Sequence, residues 1–324
     1  MRRRDVIRWG LTAGAGALAG ASAARGAADK TPVVVAANPK VFKDERTLDQ
    51  QIVQEMVDAA VARLLGESDG TAAWKRLVTP KDVVGIKVNC LAGVKLSTRI
   101  EVVRAIADGL RRAGVPAKNI VVWDRKLNDM VRARYPIGDR SQFVCIGNDH
   151  SRYGFRPPII LKGEIGSFFS RLVTHACSVI INVPVLKDHD LAGVSVCLKS
   201  FFGAIHNPNK YHFGNLHQAI CDVNRVRHIA GKTVLHLCDA TFGCAHGGPT
   251  PAAKWLERQG AIYASRDPVA LDQMAWQRIE ALRQARGLPT LAASKREPLH
   301  IALAARHGVG TNDPATIDLV NLGG

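Results

Sequence analysis

The stretch that decides the fold is residues 83–124, VVGIKVNCLAGVKLSTRIEVVRAIADGLRRAGVPAKNIVVWD. It opens on a β-branched apolar run, Val83 to Val88, and closes on a second, Ile120 to Trp123. Between them, Glu101 to Ala113 repeats apolar residues at intervals of three and four, the period of a helix with one buried face, and Gly114 closes it. Strands joined by helices lie parallel, because a helical crossover returns the chain to the starting end of the sheet. The same grammar continues outward. Val33–Val35, Phe143–Ile146, Val179–Val183, Val234–Cys238, Ala261–Ala264 and Ile317–Val320 read as strands. Leu48–Leu65 and Asp267–Arg286 read as helices, the latter with Pro268 near its start and Gly287 at its end. No internal repeat, low-complexity tract or linker interrupts the pattern. The expectation is a single α/β domain over residues 30–324. Its mostly parallel sheet carries helices on both faces, with a long loop-rich insertion around 184–232.

Ligands of such sheets bind beyond the carboxyl ends of the strands. Four apolar runs end in, or lead directly to, Asn89, Asp124, Asn182 and Asp239, which points to one polar rim. Histidines gather in the same region. Of eleven, seven lie between residues 189 and 246. His228, at a helix end, and His236, inside an apolar strand, read as structural. His189, His206, His212, His217 and His246 fall in loops rich in Gly, Pro and Asn, where imidazoles serve as metal ligands or acid–base groups. Lys187 follows an apolar strand directly, and Lys199 lies a short way on. Lysines so placed hold a carboxylate or phosphate, or act as bases once desolvated.

Composition narrows the class. Hydrophobic residues make up 47% and charged residues 22%, which excludes a disordered tail, a fibrous repeat and a multi-span membrane protein. Forty-four basic against 28 acidic residues favour anionic partners. The basic residues are scattered and no nucleic-acid-binding signature is present, so nucleic acid is not expected as a partner. The chain opens MRRRDVIRWG, followed by a mild Gly/Ala-rich stretch and an Ala21-Ser22-Ala23 step. This reads as a twin-arginine signal peptide over residues 1–23, and implies passage through that export machinery to the periplasm. No membrane-spanning segment is expected after its removal.

The seven cysteines include no C-x-x-C pair, so a zinc ribbon or ferredoxin-type iron–sulfur cluster is not expected. Several sit in apolar strand-like runs and read as small buried hydrophobes. Disulfide pairing stays open. Neither G-x-G-x-x-G after a strand nor a phosphate-binding G-x-x-x-x-G-K-[ST] loop occurs, which argues against NAD and nucleotides. The G-x-S-x-G elbow of serine hydrolases is also missing.

The strings VGIKVNCLAGVKLST, IINVPVLKDHDLAGVSVCLKSFFGAIHNPNKYH, CDATFGCAHGGP and SRDPVALD resemble the DUF362 family. The likeness is closest to stand-alone members with twin-arginine leaders and covers roughly residues 80–275. It implies that Asn89, Lys187, His189, Lys199, His206, Asn207, His212, Asp239, His246, Asp267 and Asp272 occupy family motif positions, without assigning them roles. Many relatives carry Lys-Asn where this chain has Lys199-Ser200.

Three functional readings follow. The leading one is a periplasmic enzyme with a bound transition metal (iron, manganese, zinc or nickel) and possible redox chemistry, acting on a small anionic substrate. Its ligands would be His189, His206, His246 and Asp239. Lys187, His189 and Lys199 are the catalytic candidates, and Asn89, Asn207 and His212 the binding ones. The second is a metal-free Lys/His acid–base enzyme such as an isomerase, lyase or hydrolase. The third is a non-catalytic binding or electron-transfer accessory of the envelope. Asp267, before Pro268, and Asp272 fit the start of a helix better than a site.

Overall fold

The computed structural model describes residues 30–323. The leader expected at residues 1–23 lies outside them. In chain order the strands are β1 (Thr31–Ala37), β2 (Val84–Val88), β3 (Ile120–Asp124), β4 (Val144–Gly147), β5 (Ile160–Lys162), β6 (Ile165–Ser167), β7 (Val179–Val183), β8 (Val185–His189), β9 (Gly193–Val194), β10 (Thr233–Cys244), β11 (Leu256–Ser265) and β12 (Ile317–Leu322). The helices are α1 (Gln50–Leu65), α2 (Gly70–Leu77), α3 (Ile100–Arg112), α4 (Leu127–Arg132), α5 (Cys197–Ser200), α6 (Leu216–Asn224), α7 (Arg227–Ala230), α8 (Pro268–Ala285) and α9 (Leu299–Arg306).

The main sheet runs β12-β1-β11-β10-β7-β2-β3-β4. β11 is antiparallel to both of its neighbours, whereas β10, β7, β2, β3 and β4 run parallel to one another. The 83–124 unit thus forms β2-α3-β3, with Val84 opposite Ile120 and Lys87 opposite Trp123. After Pro184, β8 continues where β7 stops, pairs with the second half of β10, and turns back through the short β9. β10 therefore runs past the expected Cys238 to Cys244, with a register shift between Ala240 and Phe242. The 184–232 insertion holds β8, β9 and α5 to α7 between irregular loops.

Strand alternation divides the core between two faces. Ile120 and Val122 pack with Val57, Trp74, Ile106 and Leu110 from α1, α2 and α3. Val121 and Trp123 pack on the opposite side with Leu198, Ile220, Ile279 and Ile301 from α5, α6, α8 and α9. Each fully buried aliphatic side chain contributes about 1.5–3 kcal/mol. α3 approaches α2 closely because Gly109 has no side chain: a Cβ there would lie 2.1 Å from Trp74 Nε1.

Helix ends follow the sequence signals. Asp49 accepts the N–H groups of Gln51 and Ile52 at the start of α1, and Gly66, at φ 68°, ends it. Asp267 caps α8 by accepting from Val269 and Ala270, and also holds Thr311 N–H, so its role is structural as expected. All seven cysteines are free thiols; six are buried and Cys145 is half-buried. Among the described residues no helix is long and apolar enough to cross a membrane.

Candidate active site

Because β2, β3, β7 and β10 run the same way, their carboxyl ends share one edge, and a cavity of about 430 Å³ opens there. Lys87 and Asn89 reach it from the end of β2, and Asp124 and Arg125 from the end of β3. Lys187 and His189 come from β8, Lys199 and Ser200 from α5, and His212 from the loop before α6. Lys187 and His189 are two apart on a strand and share a face. Asp188 between them points away, where its carboxylate meets Arg296 Nη1 at 3.0 Å and accepts from Gly248 N at 2.8 Å. Gly248 is required there, since a Cβ would fall 2.0 Å from Asp188 O.

Lys87 is 1% exposed. Its Nζ donates to Asp124 Oδ1 at 2.8 Å and Val88 O at 2.6 Å. Asp124 in turn accepts from Cys90 N and Arg125 N. This buried ion pair joins the ends of β2 and β3 beneath the cavity floor. Sequence reading passed over Lys87. The signal was a charge inside an otherwise apolar central strand, which must be paired to be tolerated.

Among the described residues the other two cavity lysines have no carboxylate partner. Lys187 Nζ donates to Asn89 Oδ1 at 2.8 Å and Pro249 O at 3.4 Å. Burial pulls its ammonium down to about 8, against the opposing charge of Asp124. Lys199 Nζ lies 3.0 Å from His212 Nε2 and 4.2 Å from the Phe202 ring centroid. The aromatic face favours the ammonium, but burial, reinforced by the charge of Lys187, brings Lys199 down to about 7. α5, which carries Lys199, is anchored by Asp272: Oδ1 accepts from Cys197 N at 2.7 Å and Oδ2 from Leu198 N at 3.0 Å. Asp272 thus acts through α5, and burial raises it to about 7.

The two histidines are held in defined states. His212 Nδ1 lies 3.1 Å from Pro208 O, which can only accept, so Nδ1 carries the proton and the Nε2 lone pair faces Lys199. His189 Nδ1 accepts from Leu191 N at 3.1 Å and Ala192 N at 3.3 Å, which places the neutral ring's proton on Nε2. Asp190 Oδ1 also lies 2.8 Å from that nitrogen and by itself would favour an imidazolium. The two backbone donors and burial decide against it, and with Lys199 nearby burial takes His189 down to about 2. The rings of His189 and His212 stack with centroids 5.8 Å apart.

The cavity therefore gathers Lys187, His189, Lys199, Asn89 and His212. It does not gather the expected metal set. His206 is exposed and packs edge-on to Phe155 and Phe168. His246 lies against Trp255. Asp239 is buried within β10, accepting from Arg99 N, Thr241 N and Thr241 Oγ1. Asn207 is exposed beside His206, in a left-handed conformation that starts the turn to His212. Among the described residues no group of three or more His, Cys, Asp or Glu is placed to hold a metal ion. Of the four polar strand ends, Asn89 and Asp124 reach the cavity. Asn182 is buried, donating to Cys197 O and meeting His236. Sequence reading also missed Arg125, Phe202 and the exposed rim residue Phe213. Ser200 is buried and its hydroxyl has no partner among the described residues.

The family model described as "Domain of unknown function (DUF362)" matches residues 84–277. The chain belongs to this DUF362 family, and the matched span contains every cavity residue named above. Comparison with curated proteins finds no match. Among solved structures, a Thermotoga maritima protein determined by the Northeast Structural Genomics Consortium is similar at 11% identity and a TM-score of 0.43. The alignment covers 75% of this chain and 61% of that one.

Proposed function

We propose that the protein is an acid–base enzyme acting on a small anionic molecule in the rim cavity. The observation that carries this reading is the convergence of Lys187, Lys199 and Arg125, none paired with a carboxylate among the described residues, on a cavity shared with two neutral histidines. Lys187 and Arg125 hold the anion. Lys199, poised near neutrality, exchanges a proton with substrate through its hydrogen bond to His212. His189 offers an Nε2–H donor to an oxygen on which charge develops. A cavity of about 430 Å³ fits a small metabolite. This reading replaces a metal centre as the favoured one because the lysines and histidines share the cavity, while His206, His246 and Asp239 lie elsewhere. The leader read at Arg3-Arg4 supports placing the reaction in the periplasm.

The test is a thermal-shift screen of small carboxylates and phosphate esters, followed by deuterium uptake from D2O into each bound compound. Anions should stabilise the protein, Lys187→Met should abolish the shift, and Lys199→Met should bind but stop exchange. Binding restricted to neutral compounds, or exchange that survives Lys199→Met, would overturn the reading.

A further inference from the structure

We propose that Lys199 is a nucleophile that forms an imine with the carbonyl carbon of a small 2-oxo acid. The inference rests on the acid–base reading and names its substrate class. Three features of the geometry support it. First, the two cavity lysines have unequal surroundings. Lys187 Nζ donates to two oxygens, Asn89 Oδ1 and Pro249 O, which favours the ammonium, whereas the polar partner of Lys199 Nζ is the neutral His212 ring. A desolvated lysine beside another cation is the usual form of an amine nucleophile. Second, His212 is fixed as an acceptor. Pro208 O holds the Nδ1 proton, so the Nε2 lone pair, 3.0 Å from Lys199 Nζ, can take the proton that nitrogen sheds on attack. Third, an electrophile bearing a carboxylate next to its carbonyl needs a fixed cation close to the nucleophile, and Lys187 and Arg125 line the same cavity.

The step balances without an oxidant or reductant. The neutral Nζ lone pair attacks the carbonyl carbon, and the C=O π pair moves to oxygen, which takes up a proton. Nitrogen passes a proton to His212 Nε2, giving a carbinolamine. Return of that proton lets the hydroxyl leave as water while the nitrogen lone pair closes the C=N bond. The proton taken up by the oxygen comes from solvent, so amine, ketone and one solvent proton become protonated imine and water. The protonated imine then withdraws electrons from the adjacent carbon, which makes loss of a proton there easier.

The experiment is reductive trapping of the full-length chain with pyruvate and cyanoborohydride, read by intact mass and peptide mapping, with acetate as the control. One saturable adduct per chain is expected on the Lys199 peptide, formed at least tenfold more slowly in His212→Asn and not at all with acetate. Mapping locates the adduct in the unsubstituted protein, so the test does not depend on a variant folding. Adducts spread over surface lysines, unchanged in Lys199→Arg, would refute the imine. A pyruvate thermal shift that depends on Lys187 but yields no adduct removes the imine and leaves the acid–base reading standing. Absence of both the shift and the adduct removes this substrate class from the site.

Discussion

Replacing Lys87 tests whether the floor of the cavity is a structural clamp or part of the chemistry. Its ammonium and the Asp124 carboxylate are 2.8 Å apart with side chains 1% and 7% exposed, so neither charge is well hydrated. Breaking such a pair by removing one member typically costs about 3–5 kcal/mol, because the other charge is left buried. Lys87→Met should fall at the low end, about 3 kcal/mol, since Asp124 keeps the N–H groups of Cys90 and Arg125. At roughly 1.6 °C per kcal/mol, from about 2.1 cal/mol/K of unfolding entropy per residue over about 300 residues, melting should drop by about 5 °C. Asp124→Leu should cost more than about 5 kcal/mol. It leaves Lys87 with Val88 O and the Trp123 face, 5.4 Å from its Nζ, and leaves both backbone donors unpaired, at about 1–3 kcal/mol each. The double variant Lys87→Met/Asp124→Leu removes the stranded charge and should recover about 1–2 kcal/mol relative to Asp124→Leu. Urea denaturation of all four proteins measures the cycle. A double variant as unstable as the sum of the singles would mean that the pair is not coupled and that Lys87 is hydrated through the cavity.

Further tests bear on the remaining groups. Lys199 sits at about 7 when folded against 10.5 when free, so the unfolded chain binds more protons between those values and stability should rise with pH across that window. Lys199→Met should flatten that rise and be the more stable protein at pH 7, as seen by thermal melts from pH 6 to 10. Asp272→Ala leaves two buried N–H groups unpaired at the start of α5 and should cost about 2–4 kcal/mol in urea, while Asp272→Asn, which keeps one acceptor oxygen, should cost less. His206→Ala and His246→Ala should leave anion thermal shifts at wild-type values, because neither ring lines the cavity; loss of the shift in either would return it to the site. Arg3→Lys/Arg4→Lys should hold an unprocessed precursor in the cytoplasm on cell fractionation, whereas the unsubstituted protein should appear in the periplasm shortened; equal distribution of the two would remove the twin-arginine reading.

The fold was readable where local chemistry and burial agree. β2 and β3 show as continuous apolar runs because both of their faces are buried, α3 shows its helical period because one face is, and α8 announces itself through Asp267-Pro268 at its start and Gly287 beyond its end. β8 was less readable. VLKDH is an apolar pair followed by three charged or titratable residues, and nothing local reveals that it extends a sheet and turns Lys187 and His189 inward while Asp188 meets Arg296, 108 residues away. The antiparallel direction of β11 was hidden for a similar reason, since strand direction is set by partners distant in sequence. At the site, the sequence located the rim and six of its residues (Asn89, Asp124, Lys187, His189, Lys199 and His212), but it treated histidines in Gly- and Pro-rich loops as equivalent. Burial separates them: His189 and His212 face each other beside Lys199, whereas His206 packs on two phenylalanine edges. The lysines carried the more specific signal. A lysine on a strand or helix of this core is either neutralised, as Lys87 is by Asp124, or left unpaired at a cost in stability. Lys187 and Lys199 belong to the second kind, and an anionic ligand is what would offset that cost.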